Sequence, residues 1–286
     1  MPQPQPLPLL TIAGSDSGGA AGLQADLKTW AALGVYGMSA VTAVTAQNSA
    51  RVVAVHSLPP EMVAAQIDAV LSDYGAVAIK TGFLGRVEII AAVAERLAYW
   101  AGGGLPTRPT LVIDPVLVNH RGEAMFAPEV AAAYRALLFP LADLVTPNRA
   151  EAALLGMLDG AQGETPSPFG RGLGRGAATR YSLAAPLRSS GPRRVLLKGI
   201  QRGDEMLDVY WDGEQRLELP QPRIETSNTH GSGDTLSAAI CAAVAQGYDW
   251  PEAIRRAQAF AHAAIRRGAT WRLGAGHGPV GVASSA

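Results

Sequence analysis

The segment Asn228-Thr229-His230-Gly231-Ser232-Gly233-Asp234-Thr235 runs directly into the apolar helical pattern Leu236, Ile240, Val244. Glycines on both sides of a serine at a helix start leave backbone N–H groups free at the positive end of the macrodipole, a cradle for a phosphate-like anion. Asp234 sits inside that cradle. A carboxylate there repels a resting phosphate but takes the proton of an alcohol attacking one, so the combination points to phosphoryl transfer onto a hydroxyl. The alternative is an ordinary helix start, with Asp234 as an N-terminal charge and the glycines as turn residues.

Further polar residues follow short apolar runs. Asp114 closes Leu111-Val112-Ile113, Asn148 and Glu151 follow Leu144-Val145-Thr146-Pro147, and Lys198 ends Val195-Leu196-Leu197. If those runs are parallel strands, all four residues lie on the rim at the strands' C-terminal ends, where open sheets take their ligands. Asp, Asn and Glu are hard oxygen ligands suited to a hydrated Mg²⁺, and Lys198 can neutralise phosphate charge. Singly, each is an ordinary solvated loop residue; their shared location gives them weight.

A first glycine turn, Gly14-Ser15-Asp16-Ser17-Gly18-Gly19-Ala20-Ala21-Gly22, also joins a strand to a helix. It lacks both the Gly-x-Gly-x-x-Gly fingerprint and the Gly-Lys-Ser/Thr of a P-loop, which leaves close backbone approach to a small ligand. Asp26 in the next helix faces such a ligand or complements the helix N-terminus. Gln47, with Asn48, offers a donor and an acceptor to a heterocycle or forms a polar turn. His230 touches a ligand or serves the turn. His56, His120, His262 and His277 have no metal spacing, so zinc is not expected.

The elements that must position these groups alternate from end to end, the pattern of a parallel sheet covered on both faces by helices. Strands are expected at 9–13, 39–45, 52–56, 77–80, 111–114, 144–146 and 195–198, and helices at 21–33, 61–71, 87–100, 128–138 and 177–185. Pro59 and Pro60 suit the first turn of the second helix. Asp212-Gly213, between apolar stretches 207–211 and 216–219, signals a two-residue hairpin near one sheet edge. Two helices follow, one opened at Gly231 to Asp234 and one from Trp250 to about Arg267. The glycine- and proline-rich stretch 159–176 has no periodicity and reads as a surface insertion.

The whole, 1–286, reads as one domain with flexible tails at 1–7 and 280–286. With 48% apolar residues it can bury a sizeable core, and 24 basic against 24 acidic residues give no field to attract nucleic acid or an anionic membrane. Cys241, the one cysteine, excludes an internal disulfide framework. No uncharged run approaches the ~20 residues of a membrane span, and no signal peptide opens the chain, so a cytoplasmic protein is expected.

The motifs Ala13 through Asp26, Val41-Thr42-Ala43-Val44-Thr45-Ala46-Gln47-Asn48, Lys80-Thr81-Gly82-Phe83-Leu84-Gly85, Asp114-Pro115-Val116, Thr146-Pro147-Asn148, Leu197-Lys198-Gly199 and Asn228 through Asp234 together resemble the hydroxymethylpyrimidine/phosphomethylpyrimidine kinases of thiamine biosynthesis. The likeness covers about residues 8–280 in order, apart from the insertion. It implies the ribokinase-like fold, a three-layer αβα sandwich with a mostly parallel sheet, a homodimer, and ATP with Mg²⁺ acting on 4-amino-5-hydroxymethyl-2-methylpyrimidine and then on its monophosphate. By position, Gln47, Gly14, Asp16, Ala21, Asp26, Val44 and Phe83 would hold the pyrimidine. Lys198, Asn148, Glu151 and Thr229 would serve ATP, Asp114 and Glu151 the metal, and Gly231, Ser232 and Gly233 with Asp234 the reacting centre.

The resemblance departs at two places: most of these kinases have cysteine where this chain has Asp234, and methionine is common where it has Phe83. A carboxylate is a good base for the first transfer. In the second the nucleophile is itself a phosphate, repelled by about 4 kcal/mol at ~4 Å and an effective dielectric near 20, so compensation by Lys198 or Mg²⁺ is required. A pyridoxal/pyridoxine kinase is the alternative within the same chemistry, and a silent ligand-binding protein on the same scaffold the alternative outside it.

Overall fold

Strands β1 (Pro8–Asp16), β2 (Tyr36–Gln47), β3 (Val52–Ser57), β4 (Ala78–Thr81), β5 (Thr110–Ile113), β6 (Leu144–Val145), β7 (Val195–Arg202), β8 (Glu205–Trp211) and β9 (Arg216–Pro222) pair into one sheet. Its order is β3-β2-β1-β4-β5-β6-β7-β8-β9. The structure, a computed structural model, describes residues 5–158 and 191–283. The insertion expected at 159–176 and the helix expected at 177–185 lie outside the described residues.

The strands from β2 to β7 run parallel, and their side chains alternate between two cores. In β1, Leu10 and Ile12 enter one core and Leu9 the other; in β4, Ile79 and Ala78 divide the same way. Both faces are buried, so the strands read as near-continuous apolar runs. Helices α2 (Pro60–Asp73), α3 (Val87–Tyr99), α4 (Pro128–Ala133) and α5 (Arg149–Leu154) supply the first core. Helices α1 (Gly22–Ala32), α6 (Ser232–Ala245) and α7 (Trp250–Gly268) supply the second. The expected αβα sandwich is what forms.

Helix α6 lies between the sheet, α1 and α7, and its residues from Thr235 to Ala243 are all buried. Trp30 of α1 is fully buried and donates its indole N–H to Ala238 O at 2.9 Å. This central placement fixes the N-terminus of α6, and with it Asp234, against the strand ends.

Several expectations need correction. Antiparallel pairing occurs at both edges, because β3 folds back on β2 as well as β8 and β9 on β7. The β8–β9 turn spans 212–215 rather than two residues, since Asp212 Oδ1 accepts the amides of Glu214 and Gln215. The helix expected over 128–138 ends at Ala133 and continues as a wider π turn over Tyr134–Leu138, short of Pro140. Helix α5 was not expected, although its capping box Asn148-x-x-Glu151 is written in the sequence. Nor are the tails loose throughout. Leu7 O accepts Tyr36 N–H, Val280 is buried, and Gly281 N–H reaches Ala264 O at 2.9 Å. Among the described residues no helix is long and apolar enough to cross a membrane.

Candidate active site

A cleft of about 1160 Å³ opens at the C-terminal ends of the parallel strands, lined from β1, β2, β3, β7, β8, β9, the start of α6, one side of α7 and the loops beside them, Asp114 after β5 included. Nearly every expected site residue lines it: Gly14, Asp16, Ala21, Gln47, Phe83, Asp114, Asn148, Glu151, Lys198, Thr229 and Gly231 through Asp234.

Gly231 caps α6 with φ +81°, a left-handed conformation that glycine adopts without strain. The Ser232 amide closes the turn onto Thr229 O at 3.1 Å. The cradle therefore differs in detail from the expected one. Ser232 N–H is engaged, whereas the amides of Gly233 and Asp234, in the first helical turn, have no protein acceptor among the described residues. A methyl group on Gly233 would lie 3.1 Å from Lys198 Nζ, so the glycine leaves the space that lysine and cradle share.

Lys198 donates to Asp114 Oδ1 at 2.6 Å, and Ser237 donates to Asp114 Oδ2 at 3.1 Å. Burial works to lower the Lys198 pKa, but Asp114, Glu151 and Asp234 raise it overall and keep the ammonium charged. Glu151 accepts the amides of Leu117 and Asn148, and Asn148 Oδ1 accepts Glu151 N–H at 3.0 Å. Burial pushes the Glu151 carboxyl up to about 7, against the pull of Lys198 and with the added push of Asp114. Two carboxylates facing a cleft with one ammonium leave negative charge that a divalent cation would relieve. Mg²⁺ is commonly held by one or two carboxylates plus water and phosphate oxygens, and this donor set fits it.

At the other end, Asp16 lines the cleft but its carboxylate accepts three amides, those of Gly18, Ala20 and Ala21, at 2.8 to 2.9 Å. It shapes the first glycine loop. Phe83 packs against Phe126 at 5.5 Å between centroids, making an apolar wall with Val116, Val118 and Met125. Gln47 Nε2 lies 3.3 Å from His230 Nε2. His230 stacks on His277 at 5.4 Å, and His277 lies 5.7 Å from His120, forming a row of imidazoles along the cleft. Thr229 Oγ1 is 2.8 Å from His277 Nε2.

Two expected residues are misplaced. Val44 pairs with His56 in the β2–β3 ladder, on the face opposite Thr45 and Gln47, so its half-exposed side chain points away from the cleft. Asp26 is fully buried and does not line the cleft; it accepts Thr11 Oγ1–H at 2.6 Å and an ion pair from Lys80. Lys80 was not expected at the site. It lies beside Thr11 in the register of β1 and β4, fully buried, and its Nζ also donates to Asp234 Oδ1 at 3.1 Å. A lysine inside an apolar parallel strand was the available signal, because such a charge is almost never buried unpaired.

Comparison with known proteins matches residues 16–281 to the phosphomethylpyrimidine kinase family. The chain is 44% identical over 272 residues to the hydroxymethylpyrimidine/phosphomethylpyrimidine kinase of Rhizobium meliloti, covering 95% of each chain. Among solved structures it resembles the pyridoxal kinase of Staphylococcus aureus in complex with AMP-PCP, with TM-score 0.80, 34% identity and coverage of 97% and 94% of the two chains. It also resembles the phosphomethylpyrimidine kinase of Clostridium difficile, with TM-score 0.71, 33% identity and coverage of 91% and 99%.

Proposed function

The chain belongs to the phosphomethylpyrimidine kinase family, and from that membership we propose how its cleft phosphorylates 4-amino-5-hydroxymethyl-2-methylpyrimidine with ATP, and then the monophosphate so formed. The observation that carries the reading is Asp234: its carboxylate stands beside free amides of a helix start, on the floor of a cleft that also holds Lys198. The pyrimidine lies between Gln47, Phe83 and the backbone of Gly14 and Ala21, with its hydroxymethyl group toward Asp234. Asp234 takes the hydroxyl proton as the oxygen attacks the γ-phosphorus, whose bond to the β,γ-bridging oxygen breaks so that ADP leaves with the electron pair. The amides of Gly233 and Asp234, with Lys198, hold the transferring phosphoryl oxygens, whose charge grows away from water. Asn148 and Thr229 border the nucleotide.

Asp114 and Glu151 would hold Mg²⁺, which would supply positive charge against the phosphates of the nucleotide. We treat 1–286 as one kinase domain, since residues from both halves of the chain build this cleft together. A homodimer is favoured by the β2–β3 flap, where Val44 (48%) and Val53 (63%), neither of which lines the cleft, stay exposed. We assign the reaction to the cytoplasm, where ATP is made and a lone thiol such as Cys241 stays reduced.

The test is incubation with Mg-ATP and the hydroxymethylpyrimidine, followed by chromatography of the products. Monophosphate followed by diphosphate is the expected course; no phosphorylated pyrimidine overturns the reading. A parallel assay with pyridoxal addresses the second reading, which the pyridoxal kinase neighbours favour; a marked preference for pyridoxal would make it the better one.

A further inference from the structure

We infer that Lys80 is a positioning residue for the reaction: its buried ammonium anchors Asp234 from behind, and Asp26 sets how much of that ammonium Asp234 receives. This deepens the reading of Asp234 given above and rests on it.

The geometry is a chain of contacts running away from the cleft. Lys80 Nζ donates to Asp234 Oδ1 at 3.1 Å on one side and to Asp26 Oδ1 on the other, and Thr11 Oγ1 donates to Asp26 Oδ2. Lys80 and Asp26 are both 0% exposed, whereas Asp234 keeps 14% of its side chain open to the cleft. The Gly82 backbone packs beside the pair, since a methyl group there would stand 3.6 Å from Lys80 Nζ and 3.8 Å from Asp234 Oδ1, at ordinary contact distance. One oxygen of Asp234 is therefore held by protein, and the other is left for the substrate hydroxyl. Lys80 is closed to solvent, so no ligand in the cleft competes with Asp234 for its ammonium by direct contact.

The charges facing Asp234 come from four elements. Lys80 lies in β4, Asp26 in α1 stands behind it, Asp114 follows β5, and Lys198 belongs to β7. Burial works to lower the Lys80 pKa, yet Asp26, Asp234 and Asp114 raise it overall, so it stays protonated. Burial pushes Asp26 up to about 7 against the pull of Lys80. Two carboxylates thus compete for one cation. Asp234 needs its share twice: to be held in place as a base, and to present less negative charge when the nucleophile is itself a phosphate.

The arrangement makes opposite predictions for its two members. Removing Lys80 leaves Asp234 beside a second acid with no cation between them; removing the charge of Asp26 gives Asp234 the whole ammonium. The probe is the ¹³C carboxyl titration of Asp234, assigned by its loss in D234N, in the substrate-free protein and in K80M, D26N and the double variant D26N/K80M. This reads Asp234 directly and does not depend on turnover, so it is separable from the assay of the proposed function. In K80M the Asp234 midpoint should rise by about 1–3 pH units, and in D26N it should fall. In D26N/K80M it should lie between the two.

In active samples the acid limb of kcat/KM should move in the same directions, with kcat falling in K80M while KM for ATP holds. Lys80 packing alone would move neither midpoint. A D26N midpoint that equals or exceeds the parent's, and a D26N/K80M midpoint at or below that of D26N, are the outcomes that overturn the inference. They do so even if K80M alone fails to fold.

Discussion

Two lysines, Lys80 and Lys198, stand near the C-terminal ends of parallel strands, each bonded to an aspartate, yet they occupy opposite situations. Lys198 is 12% exposed, opens onto the cleft, and lies beside Gly233 of the phosphate cradle. Lys80 is 0% exposed and closed off by α1 and α6. The first can exchange part of its interaction with Asp114 for phosphate oxygens when a nucleotide arrives. The second cannot exchange anything, and its value lies in constancy. An ammonium that must follow a ligand is left partly wet, whereas one that must hold a carboxylate still is desolvated and given two acids to balance the cost.

The strongest way to break this comparison is to remove the residue where the two halves meet. Asp234→Asn should lower kcat by about 10²–10⁴-fold, the usual contribution of a positioned base. ATP affinity measured by calorimetry should hold or improve slightly, because the charge lost faces the phosphates. Near-parental kcat in this variant would remove Asp234 from the chemistry and leave both lysines without their common purpose.

Lys198→Gln comes next. It should cost about 10²–10³-fold in kcat/KM, in the range of a lost donor to a transferring group, and raise the dissociation constant for ATP. Setting it beside K80M sharpens the contrast, since only the lysine that opens on the cleft should alter nucleotide affinity. Equal losses of ATP affinity in the two variants would mean that exposure does not separate their roles.

The smallest effect concerns the imidazoles whose neighbours are one another. Burial, His230 and His120 hold the His277 pKa below its ordinary value of 6.5. A histidine depressed in the folded state contributes stability that is present above its unfolded pKa and is lost as the pH falls through the folded value. The melting temperature of the parent should therefore decline as the pH drops below about 6.5. In His277→Gln, which can keep a hydrogen bond to Thr229, that decline should shrink by about 2 °C. An identical pH profile in the two proteins would show that the imidazole row carries no such strain.

Much of the site is legible in consecutive residues. The cradle at Gly231 to Asp234 is a property of a helix start, and a few neighbouring dihedral angles decide it. Asp114, Asn148, Glu151 and Lys198 each follow an apolar run, so the parallel-sheet rule alone brings them to one rim. Even α5, which was missed, announces itself through the Asn148 and Glu151 capping box. Other features depend on register. Val44 and Gln47 are near neighbours in sequence, but strand pairing at the β2–β3 flap sends one outward and the other into the cleft.

What the sequence by itself determined is therefore the layered αβα sandwich, the rim of ligands and the acid within its glycine turn, because short-range periodicity and backbone geometry encode all three. Tertiary structure decided which charges meet. Lys80 reaches Asp26 across 54 residues and Asp234 across 154, through the register of β1 with β4 and the stacking of α1 and α6 on one face of the sheet. An ion pair of that kind leaves no local pattern, since its energy depends on a distance that only the packed layers define.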